Sequence, residues 1–230
     1  SGAFAQYVAV PAPIVEQNLL AIPEGVSFPL AAMVEPLACV AHGMEVTNIA
    51  LGDTVAVIGA GPIGLMFVQL AALRGARVIA VDIKEERLAA ARACGARETV
   101  AAPGDDAVEA VRGLTDGKRG VDVAIEAVGL PGLWEKAVRM VRKGGTVNLF
   151  GGCAGGTQIT IDTSLIHYSE VTIRGAFHHN PRTVSQAMEL IAMGALQEKV
   201  FITREIPLVK IEEVLRALVE QEGIKSAVIP

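Results

Sequence analysis

Cysteine is scarce in this chain. Its three copies, Cys39, Cys94 and Cys153, are odd in number and far apart, without the close pairs that hold a metal, and they read as free thiols in a reducing, cytoplasmic setting. The four histidines, His42, His167, His178 and His179, include no i, i+4 pair, so spacing alone supplies no zinc ligand set. No apolar run reaches the roughly 18 residues of a membrane span, because Ser27, Pro29 and Glu35 interrupt the most apolar early stretch. Basic clusters are missing as well, and a net charge of −5 with a pI of about 5.4 disfavours a nucleic-acid partner. Long charged tracts, low-complexity segments and internal repeats are absent, and the opening residues read as mid-domain sequence with no signal peptide.

What is present is a 51% hydrophobic chain of 230 residues with mean hydropathy +0.44, enough for a full core in one large domain or one and a half smaller ones. From Thr54 onward, short β-branched runs alternate with helical periodicity, the pattern of a doubly wound parallel sheet wrapped by helices. The run "TVAVI", Thr54 to Ile58, predicts the first strand and "RVIAVD", Arg77 to Asp82, the second. A short strand near Thr99, then "VDVAIEA", "GGTVNLFGG" and "EVTIRGAF", continue the series. Ile63, Met66, Phe67 and Leu70 fall at i, i+3, i+4, i+7 and predict a helix with one buried face, ending near Gly75. Further helices are expected over residues 84–94 and 106–114, around Trp134, and after the N-cap pair Asn180-Pro181. Ile211, Val214, Leu215 and Leu218 mark a last helix before the strand "KSAVI". Residues before about Val40 are Pro-rich and read as strand-like, so a core from Ala41 to Phe177 stands between two pieces of something else.

The chemistry concentrates in "VAVIGAGPIGLM". Gly59, Gly61 and Gly64 have G-x-G-x-x-G spacing, directly after a predicted strand and directly before a predicted helix. In that context the first glycine makes a tight turn, the second lets the backbone approach a diphosphate, and the third lets helix and strand pack closely, with the diphosphate on the helix N-terminus. Pro62 removes an amide where first-turn amides have no helical partner anyway. Asp82 ends the second strand, where an acid takes the ribose hydroxyls and repels a 2′-phosphate, so NAD is favoured over NADP. Lys84 and Arg87 are the counter-argument, since cations there suit a phosphate. Alone, such glycines only turn a chain; with strand, helix and acid in register they point to a dinucleotide.

Together, "VEPLACVAHG", "LGDTVAVIGAGPIGLM", "VDIKEERL", "GGTVNLFGG" and "VTIRGAF" resemble the zinc-dependent medium-chain dehydrogenases, and within them the polyol (sorbitol or iditol) branch. The resemblance covers essentially the whole chain. It implies a Rossmann domain over residues 41–177, preceded by the end of a truncated GroES-like catalytic domain (1–40) and followed by a segment returning to that domain (178–230). The implied reaction passes hydride from a secondary alcohol or polyol to NAD. It further implies that the family's cysteine and Gly-His-Glu zinc ligands, and the four-cysteine structural zinc lobe of many members, lie upstream. Zinc is therefore expected in the intact enzyme and not in this chain, which is expected to be inactive, and copies are expected to associate as homodimers or homotetramers.

By the same resemblance, Ile63, Asp82 and Arg87 line the adenosine and ribose side of the cofactor, Phe150, Gly151 and Gly152 lie close to its nicotinamide half, and Ile83 and Phe177 are further cofactor contacts. Glu35 of "MVEPLACV" stands at the zinc, as a ligand or through water; read from the residues alone, it is a helix-start acid favourable to the helix dipole. Polyol dehydrogenases carry Phe-Arg-Tyr where this chain has Phe177, His178 and His179, which leaves the polyol open and makes the two histidines substrate-contact candidates, or else a solvent-exposed pair. Two other readings stand beside this one: a stand-alone NAD-binding module without chemistry, and a zinc-free, quinone-reductase-like member of the superfamily.

Overall fold

The structure is a computed structural model, and it describes residues 4–220 and 222–230. Three helices come first: α1 (Ala12–Asn18), α2 (Phe28–Ala31) and α3 (Val34–Thr47). The strand-like reading of this Pro-rich segment is thus corrected. Pro13, Pro29 and Pro36 all lie in first turns, where a helix has no acceptor for the missing N–H and a fixed φ helps it start. Ser27 caps α2, its Oγ accepting from the Leu30 N–H at 3.2 Å.

Six parallel strands follow: β1 (Thr54–Ile58), β2 (Arg77–Val81), β3 (Glu98–Val100), β4 (Val121–Glu126), β5 (Val141–Leu149) and β6 (Thr172–Gly175), in the order β3-β2-β1-β4-β5-β6. Between them run α4 (Pro62–Leu73), α5 (Glu85–Ala93), α6 (Gly104–Gly113), α7 (Pro131–Met140) and α8 (Thr163–His167). Alternation along the strands feeds two cores. Val55, Val57, Val78 and Val123 pack with α3, α4 and α5 on one face, and Ala56, Ile58, Ile79 and Ala124 pack with α6 and α7 on the other. Both faces are therefore covered, as a parallel sheet requires.

Helix α4 departs from its expected single apolar face. Every residue from Gly64 to Ala71 is buried, because α4 lies against β1 and β2 and is flanked by α3 and α5. Periodicity cannot report that enclosure, since it arises from neighbours distant in sequence. Strand β5 starts at Val141, before the expected turn, and Gly144-Gly145 form an irregularity inside it where the register against β4 jumps from Val121↔Val141 to Val123↔Thr146.

After β6 come α9 (Pro181–Ala192), α10 (Glu198–Phe201), β7 (Ile202–Pro207), α11 (Ile211–Val219) and β8 (Lys225–Ile229). Asn180 and Thr183 cap α9 reciprocally, each side chain bonding the other's backbone N–H at 3.0 Å. α9 packs along α3, and Arg182 grips the Glu45 carboxylate with two bonds. β7 and β8 pair in parallel as a separate two-stranded sheet. On α11, Val214 and Ala217 are buried, whereas Leu215 and Leu218, expected inside, are half exposed. Among the described residues no helix is long and apolar enough to cross a membrane.

Candidate functional site

The strand order turns back between β1 and β4, and their carboxyl ends diverge into the crevice where open α/β sheets receive ligands. The glycine loop forms one wall, and its three glycines have three different physical reasons. Gly59 leaves β1 at φ +93°, its N–H donating to Val81 O at 2.8 Å, and a Cβ on it would meet Val128 Cγ2 at 2.5 Å. Gly61 is the N-cap of α4 at φ −73°, and nothing lies within 4 Å of where its Cβ would be. The space above it is open. At Gly64 a Cβ would stand 1.7 Å from Gly59 O, so helix and loop touch backbone to backbone. Pro62 and Ile63 form the partly exposed first turn of α4, whose free amides point out of the helix start.

Asp82 sits just past β2 and is 9% exposed. Its Oδ2 accepts from the Ala60 N–H at 2.8 Å and its Oδ1 from the Lys84 N–H at 2.9 Å, while Arg87 Nη1 stands 3.9 Å away. The carboxylate therefore ties the glycine loop to the start of α5. Each oxygen keeps a second lone pair for a hydroxyl donor. Ile83 beside it is exposed.

The opposite wall rests on a residue that sequence reading passed over. Glu126, the last residue of β4, is fully buried. Its Oε1 accepts the Val128 and Gly129 N–H groups at 3.0 Å each, its Oε2 accepts Gly129 N–H again at 3.1 Å, and its backbone carbonyl takes the Phe150 and Gly151 N–H groups at 3.0 and 2.8 Å. Burial pushes this carboxyl up from its ordinary range, against the pull of the amides. The loops after β4 and β5 are both fastened to it. The signal was present in "VDVAIEA", where Glu126 follows the apolar run Val123 to Ile125 at the carboxyl end of the strand. Phe150 is partly buried, edge-on to Phe67 at 4.9 Å; Gly151 O accepts from Trp134 Nε1 at 3.0 Å; Gly152 is exposed. Phe177 is 91% exposed, beyond the end of β6.

A second cluster lies at the start of α3. Glu35, in its first turn, faces His179, with Oε1 and Nε2 3.6 Å apart, and the His178 and His179 rings are 4.3 Å apart at 45°. One ligand atom from each of the three residues lies within 4.8 Å of the others. Spacing along the chain did not suggest this grouping, because the donors come from elements far apart in sequence. Two imidazoles and a carboxylate suit zinc by donor type. Cys39, one turn on from Glu35, donates to Glu35 Oε1 at 3.5 Å. Burial first, and then the Glu35 charge, push its thiol up to about 11, so it stays protonated and inert.

Comparison with known proteins gives these clusters a setting. The family model for zinc-binding dehydrogenases matches residues 62–193. Sorbitol dehydrogenase of Bacillus subtilis is 32% identical over 232 residues, covering 100% of this chain and 64% of that protein. Erythritol/L-threitol dehydrogenase of Mycolicibacterium smegmatis is 33% identical, covering 100% and 62%. Among solved structures, a protein of Sinorhizobium meliloti described as a zinc-binding dehydrogenase and bound to NADP superposes with TM-score 0.88 at 33% identity, over 100% of this chain and 66% of that one. The alcohol dehydrogenase of Thermus sp. ATN1 does so with TM-score 0.89 at 28% identity, over 99% and 65%. The chain thus spans a little under two thirds of the length of these relatives.

Proposed function

Because the chain belongs to the zinc-binding dehydrogenase family, we propose that it is the coenzyme-binding portion of an NAD-linked alcohol or polyol dehydrogenase. In this reading residues 41–177 bind the dinucleotide, 1–40 are the end of a catalytic domain, and 178–230 return to it. The observation that carries the proposal is the glycine loop between β1 and α4 with Asp82 beside it: open space above Gly61, free first-turn amides, and a carboxylate with spare lone pairs.

The residues divide the work. The amides around Gly61 to Gly64 take the diphosphate, Asp82 the ribose hydroxyls, and Ile63, Ile83 and Arg87 the adenosine side. Phe150, Gly151, Gly152 and Phe177 border the nicotinamide half, the first two held in place through the Glu126 carbonyl. Held by these residues, a nicotinamide coenzyme would supply the hydride acceptor for the alcohol carbon, and zinc would supply Lewis-acid stabilisation of the alcohol oxygen. Glu35 stands on the metal side of this arrangement, and His178 and His179 face the substrate. The polyol-dehydrogenase relatives support a hydroxylated small molecule as substrate. The position of β6 at the sheet edge supports association of copies there.

The NADP in the Sinorhizobium meliloti structure favours the other coenzyme. Against it stands the Asp82 charge, which opposes a 2′-phosphate, with Arg87 already turned toward that charge. Asp82→Ser decides. Releasing the Ala60 N–H loosens the loop for both coenzymes, so a common loss reports the loop and only the difference reports the ribose. NAD should weaken by the larger factor, read by calorimetric titration of both; equal factors would sink the NAD assignment. The chain by itself should oxidise no sorbitol or secondary alcohol in the presence of NAD, and robust turnover would refute its reading as a portion.

A further inference from the structure

Successive side chains leaving a strand point to opposite sides. His178 and His179, just past β6, do not diverge. His178 adopts φ +65°, in the left-handed region that residues with a Cβ seldom enter and that concentrates at functional sites. Both imidazoles consequently come to the Glu35 side. The turn is held from beyond by the Asn180 capping box that starts α9. Glu35 is held by α3, against which α9 packs, with the Arg182–Glu45 ion pair linking the two helices. The three donors thus sit at the beginnings of two helices fixed to each other.

We propose that Glu35, His178 and His179 together bind one divalent transition-metal ion, zinc foremost, using residues of this chain alone. This extends the role given to Glu35 above, moves His178 and His179 from the substrate to the metal beside it, and stands apart from the coenzyme reading. Two imidazole nitrogens and one carboxylate oxygen form a zinc-type set that leaves a position for water or a substrate oxygen. Tetrahedral zinc wants its ligand atoms about 3.3 Å apart, closer than the 4.8 Å within which they now lie. Glu35 and His178 are exposed, so rotation of their side chains can close the difference.

The test uses the full chain without an affinity tag, stripped of metal by a chelator. Zinc chloride is titrated by calorimetry, and cobalt(II) is followed by its visible d–d bands. One equivalent should bind. His178→Ala, His179→Ala and Glu35→Gln should each weaken zinc binding tenfold or more with unchanged circular dichroism, whereas Cys39→Ser should leave it unaltered. Undiminished zinc affinity in the H178A/H179A double variant would overturn the proposal. So would a near-ultraviolet sulfur-to-cobalt band abolished by Cys39→Ser, since the thiolate would then be a ligand. NADH binding, measured by fluorescence on the same wild-type samples, is decided separately: its absence sinks the coenzyme reading and leaves the metal result standing.

Discussion

Gly61→Ala separates coenzyme binding from stability. The residue has φ −73° and ψ −176°, open to any L-amino acid, and the added methyl meets no protein atom within 4 Å. Restricting the unfolded chain contributes about 0.4–1 kcal/mol of stability. Alanine is a poorer N-cap than glycine by a similar amount. The two terms offset, so urea denaturation should place the variant within about 1 kcal/mol of wild type with an unchanged m-value. The same methyl occupies the space through which a diphosphate approaches the backbone, so NADH should bind at least tenfold more weakly, a loss of about 1.4 kcal/mol or more. Gly64→Ala should behave in the opposite sense. Its methyl would lie 1.7 Å from Gly59 O, and overpacking of about 1–3 kcal/mol or more exceeds the roughly 1 kcal/mol gained in helix propensity. Gly64→Ala should therefore lower the urea midpoint. Tight NADH binding by Gly61→Ala, within twofold of wild type, would refute the placement of the diphosphate over this loop.

Two further predictions concern the scaffold. Burial opposes ionisation of Asp122, but the Thr54 N–H at 2.8 Å, Arg142 Nε at 2.5 Å and Arg119 Nη2 at 3.7 Å outweigh it and hold the carboxyl below its usual range. A depressed folded-state pKa gives stability that is present above the unfolded pKa of about 3.9 and is lost as pH falls through it toward the folded value. Asp122→Asn should therefore cost about 1–3 kcal/mol at pH 7, and the gap to wild type should close below about pH 4; a gap constant from pH 7 to 3 would argue against it. Asn148, fully buried in β5, donates to Thr47 Oγ1 at 2.6 Å and Gly43 O at 3.2 Å, stapling the sheet to α3. Asn148→Ala should lose about 2 kcal/mol in denaturant titration, and a loss under 0.5 would show the staple is idle.

What could be read from the sequence is what local rules decide. β1, the turn at Gly59, the start of α4 at Pro62 and the end of β2 beside Asp82 follow one another within a single β-α-β stretch, where turn chemistry and periodicity report directly. The prolines misled because proline forbids a strand interior and a helix interior alike, while a helix's first turn admits it, and composition does not say which turn a proline occupies. The enclosure of α4 and the exposure of Leu215 and Leu218 are set by which elements lie alongside. Glu35 and the histidine pair meet only after the whole sheet has been wound between them. An acid in an apolar stretch is a visible question with no single kind of answer: the Glu126 carboxylate is met by amides two and three residues on, whereas Glu35 faces His179 from across the fold.

The contact between Gly64 and Gly59 O also bears on how such a protein can change. The loop is the tip of a helix enclosed on every side, so a substitution that reshapes it reaches straight into the interior. Adaptation to another coenzyme has little room there. The turn from β2 into α5 is different: Ile83 is exposed, Lys84 and Arg87 are half-buried, and none of the three supports the core. On the coenzyme reading proposed above, that turn is where a lineage, or an engineer, can trade one dinucleotide for another while the fold stays intact.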